Sequence, residues 1–126
     1  MDKLIATSHS ISLKVEPQHT AMYVGSGDMD VLATPIMIAL MENCAMMLLA
    51  PSLKDGESSV GTMINCNHNR ATPQGKTITA TATITKIDGR AVEFLIEATD
   101  DKGVIGNAVH TRFIVNKEKF LGKLKD

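Results

Sequence analysis

At 126 residues the chain has room for one domain and one hydrophobic core, so residues 1–126 are expected to fold as a single unit. Hydrophobic residues make up 44% and charged residues 21%, a globular composition rather than a disordered one. With a net charge of −1 and scattered Lys and Arg, no bulk field draws nucleic acid or an anionic membrane, so neither is expected as a partner.

The N-terminus, MDKLIATSHSISL, lacks the apolar stretch of a signal peptide. The apolar run Ile36 to Met41 is far short of the roughly 20 residues that span a bilayer. Cys44 and Cys66 have neither metal-ligand spacing nor the density of a disulfide scaffold, and are expected as reduced thiols in apolar surroundings. The expectation is a soluble cytoplasmic protein. Five of the eight Met residues fall between Met29 and Met47, where they are read as core filling.

In chain order, Ile11, Leu13 and Val15 alternate with Ser12, Lys14 and Glu16, as in a strand with one buried face that Pro17 ends. Residues 18–31 hold two glycines and no long periodicity, and read as a loop with at most a short helical turn. His9 and His19, in polar surroundings, are expected to be solvated. Thr34-Pro35 then suits a helix cap followed by proline at the first helical position, and Pro51 closes the helix. This helix is apolar nearly all round and should be buried on most of its circumference. From Val31 to Leu53 its only charged side chain is Glu42.

Beyond the loop SLKDGE the period changes. Residues 58–68, 76–87, 90–99 and 103–116 read as four strands rich in Thr, Val and Ile. Asp88-Gly89 marks a tight hairpin, Asp101-Lys102-Gly103 the next turn, and Asn69 to Gly75 a wider one. A short amphipathic turn is expected around Phe120, Leu121 and Leu124. One hydrophobic helix followed by an antiparallel meander buries both partners when the sheet curls around the helix. That is an α+β hot-dog fold, with a five-stranded antiparallel sheet around one long helix. So thin a sheet leaves an edge or a face uncovered, and a homodimer is expected.

Three residues stand out chemically. A carboxylate in the middle of an apolar helix is costly unless paired or protonated. Glu42 is therefore either on a solvated strip beside Asn43 or a functional acid–base group in a partly dry cleft. Thr34 is first a helix cap, but a hydroxyl at a helix start also sits where developing negative charge is stabilised. Glu42 lies eight residues further on, about 12 Å along the helix, so a third group or the substrate must bridge the two. Strand parity places Val60, Thr62, Ile64, Cys66 and His68 on the helix side and Gly61 on the other, unless a bulge upsets the count. His68 there completes the general pattern of an activated nucleophile or water. His110 and Arg112 share one face of the last strand, where Arg112 either clamps an anionic group or lies at a sheet edge. Gly106 is expected to ease a bulge or a close backbone approach. Phosphate loops, zinc spacings and nucleophile elbows are absent.

The runs ATPIMIALMENCAM, GESSVGTMINCNHNRATPQGKTITATATITKIDGR and DKGVIGNAVHTRFIV together resemble the fluoroacetyl-CoA thioesterase-like branch of hot-dog proteins. The resemblance extends from about residue 11 to residue 121 in continuous order. Its markers are the Thr before the helix, the Met-Glu pair within it, Ser-Val-Gly, His-x-x-x-Thr-Pro-x-Gly and the closing Gly-x-x-x-His-x-Arg. It implies Thr34, Glu42 and His68 as catalytic residues, Gly61 and Arg112 as lining the substrate site, and a homodimer with the thioester in a cleft between subunits. It implies no metal or redox cofactor, CoA being part of the substrate. One departure is plain: the member acting on fluoroacetyl-CoA has an aromatic-rich lid before its Thr, whereas residues 22–32 here read MYVGSGDMDVL, with only Tyr23 aromatic. The expected function is therefore hydrolysis of a small or medium acyl-CoA. The alternatives are a non-catalytic acyl-CoA-binding or sensing protein, and a hydratase, whose short Asp/His motif is not found.

Overall fold

A computed structural model describes residues 2–125. Strand β1 (Ser8–Lys14) leads through a short 3-10 turn at Pro17–His19 into a one-turn helix, α1 (Ala21–Val24). The long helix α2 (Thr34–Leu49) follows, and Pro51 lies in the 3-10 turn that ends it. Strands β2 (Glu57–His68), β3 (Thr77–Asp88), β4 (Ala91–Asp100) and β5 (Gly103–Asn116) run on to a short helix, α3 (Lys117–Gly122).

All five strands form one antiparallel sheet in the order β1-β3-β4-β5-β2, which leaves β1 and β2 as its edges. Sequence alternation decides which face turns inward. On β3, Ile78, Ala80, Ala82 and Ile84 are fully buried, as are Val92, Phe94 and Ala98 on β4. The alanines leave room for α2 to lie close against the curled sheet, where Met37, Leu40, Met41, Cys44, Ala45 and Leu49 complete the core. Each large side chain buried this way contributes roughly 1.5–3 kcal/mol. The opposite face is polar: Ser10 and Ser12 of β1 meet Thr81 and Thr79 of β3 across the strands at 2.7 and 2.8 Å. Gly89 turns the β3–β4 hairpin at φ 61°, the left-handed conformation that the Asp-Gly pair forecasts.

The expected strands and turns are present, and α1 is the expected helical turn. Helix α3 forms too, but Phe120, Leu121 and Leu124 remain exposed rather than packing as an apolar face. The expectation of a helix buried on most of its circumference is corrected. Along α2 a strip through Pro35, Ala39, Asn43, Met46, Met47 and Ala50 stays exposed, because a single five-stranded sheet covers only one side of a helix. The stretch Thr34–Ser52 is long and apolar enough to cross a membrane by composition, with a mean hydropathy of 1.4. Its inward face is that of a core helix.

The helix start also differs from expectation. Ala33 occupies the cap position and Thr34 is already helical, with Pro35 behind it. The Thr34 side chain makes no capping bond and is free for other work.

Candidate active site

The freed hydroxyl has a partner. Thr34 Oγ1 lies 2.7 Å from His68 Nδ1, which joins the first residue of α2 to the last residue of β2. His68 Nε2 is buried and has no hydrogen-bond partner among the described residues. Burial holds the His68 pKa below its ordinary value, with the Arg70 backbone working against that shift. A neutral imidazole against a hydroxyl is the arrangement in which Thr34 can hand its proton to a base.

The pair lies on the wall of a cavity of about 320 Å³, lined also by Ala21, Met29, Leu32 and Arg70. The segment from α1 to α2 covers this cavity and is held by backbone bonds, Ala21 N–H to Val31 and Leu32 N–H to Thr72. Asp100 braces the other wall, accepting from Arg70 Nη2 at 2.7 Å, Thr72 Oγ1 at 2.9 Å and the Lys102 N–H at 2.8 Å. Burial raises the Asp100 pKa, but those donors and the nearby cations outweigh it and hold the carboxyl below its usual value. At the start of α2, Ile36 and Met37 N–H both bond to the Ala33 carbonyl and Pro35 has no N–H. Among the described residues, Thr34 N–H is therefore the first-turn donor left for a developing oxyanion.

Glu42 belongs to a second cluster. A β-bulge at Gly61/Met63 shifts the register of β2 against β5 and reverses the facing of the strand. Ser59 and Gly61 face inward before the bulge, and Ile64, Cys66 and His68 after it. The parity expectation is corrected accordingly: Val60 and Thr62 do not share the face of His68, and Gly61 turns toward the helix. A Cβ on Gly61 would sit 3.0 Å from Glu42 Oε2, 3.2 Å from His110 Cε1 and 3.5 Å from Arg112 Nη1. Glycine here leaves a notch bounded by a carboxylate, an imidazole and a guanidinium.

Arg112 is 7% exposed and so does not lie at a sheet edge. It donates through Nε to Ser59 Oγ at 2.8 Å and through Nη2 to the Ser59 carbonyl at 3.0 Å. Burial lowers its pKa, and Glu42 works against that shift. Gly61, Arg112 and Glu42 are thus brought together, and Thr34 with His68, but the two groups lie at different turns of α2. His110, fully buried, and Ser59 are members of the second cluster that motif reading left without a role; their signal was parity with Arg112 and with Gly61.

Elsewhere, His9 and His19 are half-buried, not solvated. His9 lies on the inward face of β1, and His19 Nδ1 accepts from the Glu16 N–H at 3.0 Å. Cys44 is buried and Cys66 half-buried; both are free thiols, and burial raises both pKa values. Gly106 meets its expectation, since a Cβ there would collide with the Asn67 carbonyl and crowd Met37.

The profile of the fluoroacetyl-CoA-specific thioesterase FlK matches residues 15–118. A fluoroacetyl-CoA thioesterase from Streptantibioticus cattleyicolor is 38% identical over 96 residues, or 76% of this chain and 69% of the relative. Among solved structures, a threonine-to-serine variant of FlK in complex with acetyl-CoA aligns with a TM-score of 0.90 at 31% identity, covering 95% of each chain. A Thermus thermophilus hypothetical protein, a thioesterase superfamily member, aligns at 0.89 with 24% identity over 95% of this chain and 89% of that one, a likeness of fold alone.

Proposed function

The chain belongs to the fluoroacetyl-CoA-specific thioesterase family, and we propose that it hydrolyses a small or medium acyl-CoA to free acid and CoA. The observation that carries this reading is the 2.7 Å contact between Thr34 Oγ1 and His68 Nδ1 beside the 320 Å³ cavity. His68 takes a proton from Thr34, which attacks the thioester carbonyl, or from a water that Thr34 positions. The Thr34 N–H donates to the oxygen as negative charge develops on it. Collapse expels the CoA thiolate, which takes the proton held by His68, and where Thr34 was the nucleophile water then hydrolyses its acyl ester to the free acid. Glu42 orients the reacting group or acts as the base for the hydrolytic water, and Gly61 and Arg112 line the acyl site.

Fluoroacetyl-CoA is the substrate named for the relatives, but the covering segment argues for a different acyl group. Its one aromatic side chain, Tyr23, is 70% exposed, so among the described residues no aromatic side chain of this segment closes over the cavity. Chemistry by Thr34, His68 and Glu42 calls for no metal or redox cofactor, with CoA entering as substrate.

The reading includes a homodimer, with the thioester in a cleft between subunits. The uncovered apolar strip of α2, with Met46 at 40% and Met47 at 41% exposure, supports it, as does the free edge of β2. A cytoplasmic setting fits the two reduced cysteines.

A thiol-release assay over acyl-CoAs of increasing chain length tests the activity, with turnover expected on short and medium chains. Binding without release across the whole panel would make the protein a non-catalytic acyl-CoA binder. Sedimentation at micromolar concentration is expected to show a dimer, and a monomer there overturns the shared cleft.

A further inference from the structure

His110 is wholly buried in the middle of β5 and makes three directional contacts. Its ring stacks on Phe94 with centroids 5.9 Å apart. Nδ1 lies 2.8 Å from the Met63 carbonyl, at the bulge of β2. A carbonyl can only accept, so Nδ1 carries the proton. Nε2 lies 3.2 Å from Arg112 Nη1, and a guanidinium can only donate, so Nε2 must be the bare acceptor. Both contacts are satisfied only by the neutral imidazole protonated at Nδ1.

Arg112 has five N–H donors. Three are engaged, by Ser59 Oγ, the Ser59 carbonyl and His110 Nε2, which leaves one hydrogen on Nη1 and one on Nη2. Nη1 is also the guanidinium atom at the Gly61 notch, opposite Glu42 Oε2. Ser59 fixes one edge of the guanidinium plane and His110 fixes the other.

Building on the thioesterase reading, we propose that His110 is a positioning residue: as a neutral acceptor it holds Arg112 so that Nη1 presents its remaining hydrogen to the acyl end of the substrate in the Gly61 notch. Protonation of His110 would set N–H against N–H and place two cations side by side, releasing Arg112 from that position. The charged groups facing the ring are Glu42 from α2 and Arg112 from β5 itself, while β2 contributes the Met63 carbonyl and β4 the Phe94 ring. Burial lowers the His110 pKa and Arg112 adds to the fall, against the opposing Met63 carbonyl and Glu42, so the neutral form is the resting one.

Two substitutions separate this role from simply holding the bulge. His110→Asn can still donate to the Met63 carbonyl but is too short to reach Arg112. His110→Gln places an acceptor near the Nε2 position and gives up the Met63 bond. The Asn variant is expected to raise KM for the best acyl-CoA about tenfold, with kcat changed less, since losing uniformly used binding appears in KM. The Gln variant should keep KM within about threefold of wild type, and its log kcat/KM should lack the acid-side step, about one log unit high, that titration of His110 gives the wild type. Adding Arg112→Lys to His110→Asn should cost little beyond Arg112→Lys alone, because the two residues act as one unit. If Asn keeps the wild-type KM, or Gln keeps the wild-type acid-side step, His110 is only a structural bond at the bulge. An inactive wild-type protein would overturn the thioesterase reading itself, a distinct result.

Discussion

The start and the middle of α2 present polar groups in opposite ways. At its start, Thr34 is exposed, makes no capping bond and shares a short contact with a histidine whose second nitrogen has no partner among the described residues. Two turns on, Glu42 faces a guanidinium and an imidazole whose own hydrogen bonds are tightly assigned, around a notch that only glycine can leave open. Thr34 and His68 keep unused hydrogen-bonding capacity, whereas His110 uses both ring nitrogens and Arg112 three of its five donors. Helix α2 thus sets the Thr34 hydroxyl two turns away from a fixed wall of His110 and Arg112.

If that contrast is right, the largest loss comes from the open end. Thr34→Ala and His68→Ala should each lower kcat about a thousandfold, within the range for a nucleophile or its general base. Because Thr34 caps nothing, Thr34→Ala should leave the melting temperature nearly unchanged, where losing a true cap costs about 1 kcal/mol. Thermal unfolding of the inactive variant measures this. Next comes Glu42→Gln, which keeps shape and removes charge. A loss of about a hundredfold in kcat is expected with stability within about 1 kcal/mol of wild type, and unchanged kcat would return Glu42 to the role of a solvated glutamate. Gly61→Ala should follow, with about a tenfold fall in kcat/KM. Its Cβ crowds Glu42 and His110, and overpacking of this kind costs about 1–3 kcal/mol, visible in a denaturant midpoint.

The smallest effect sharpens the contrast through pH. His68 and His110 both have pKa values below the ordinary one in the fold, so the unfolded chain binds more protons as pH falls below about 6.5. Stability should therefore be flat above neutrality and decline with acid through that window. His110→Gln should decline less steeply than wild type, and an identical decline would mean that His110 does not titrate with unfolding.

Much of the fold was legible from local signals. Pro35 and Pro51 bracket α2, Thr- and Val-rich alternation marks the strands, and Asp88-Gly89 marks the hairpin, because each acts through backbone geometry over a few residues. Glu42 was conspicuous as the lone charge in an apolar run. The misreadings of Thr34 and of the facing of β2 involve partners distant in sequence. Thr34 looked like a cap because the cap position and the first helical position differ by one residue, and only His68 drawing the hydroxyl decides between them. Val60 and Thr62 were placed on the wrong face because a bulge leaves no reliable mark in the alternation it breaks.

The sequence by itself therefore determined the order of elements, the apolar character of the long helix and the residue types available for chemistry, since these rest on propensity, periodicity and composition. Only the tertiary structure decided that Thr34 meets His68, that Gly61 faces Glu42, and that Arg112 and His110 lie inside the sheet rather than at its edge. Those outcomes depend on how β2 registers against β5 and how α2 crosses the sheet. A one-residue shift in a strand reverses every facing after it, and no local pattern records the shift.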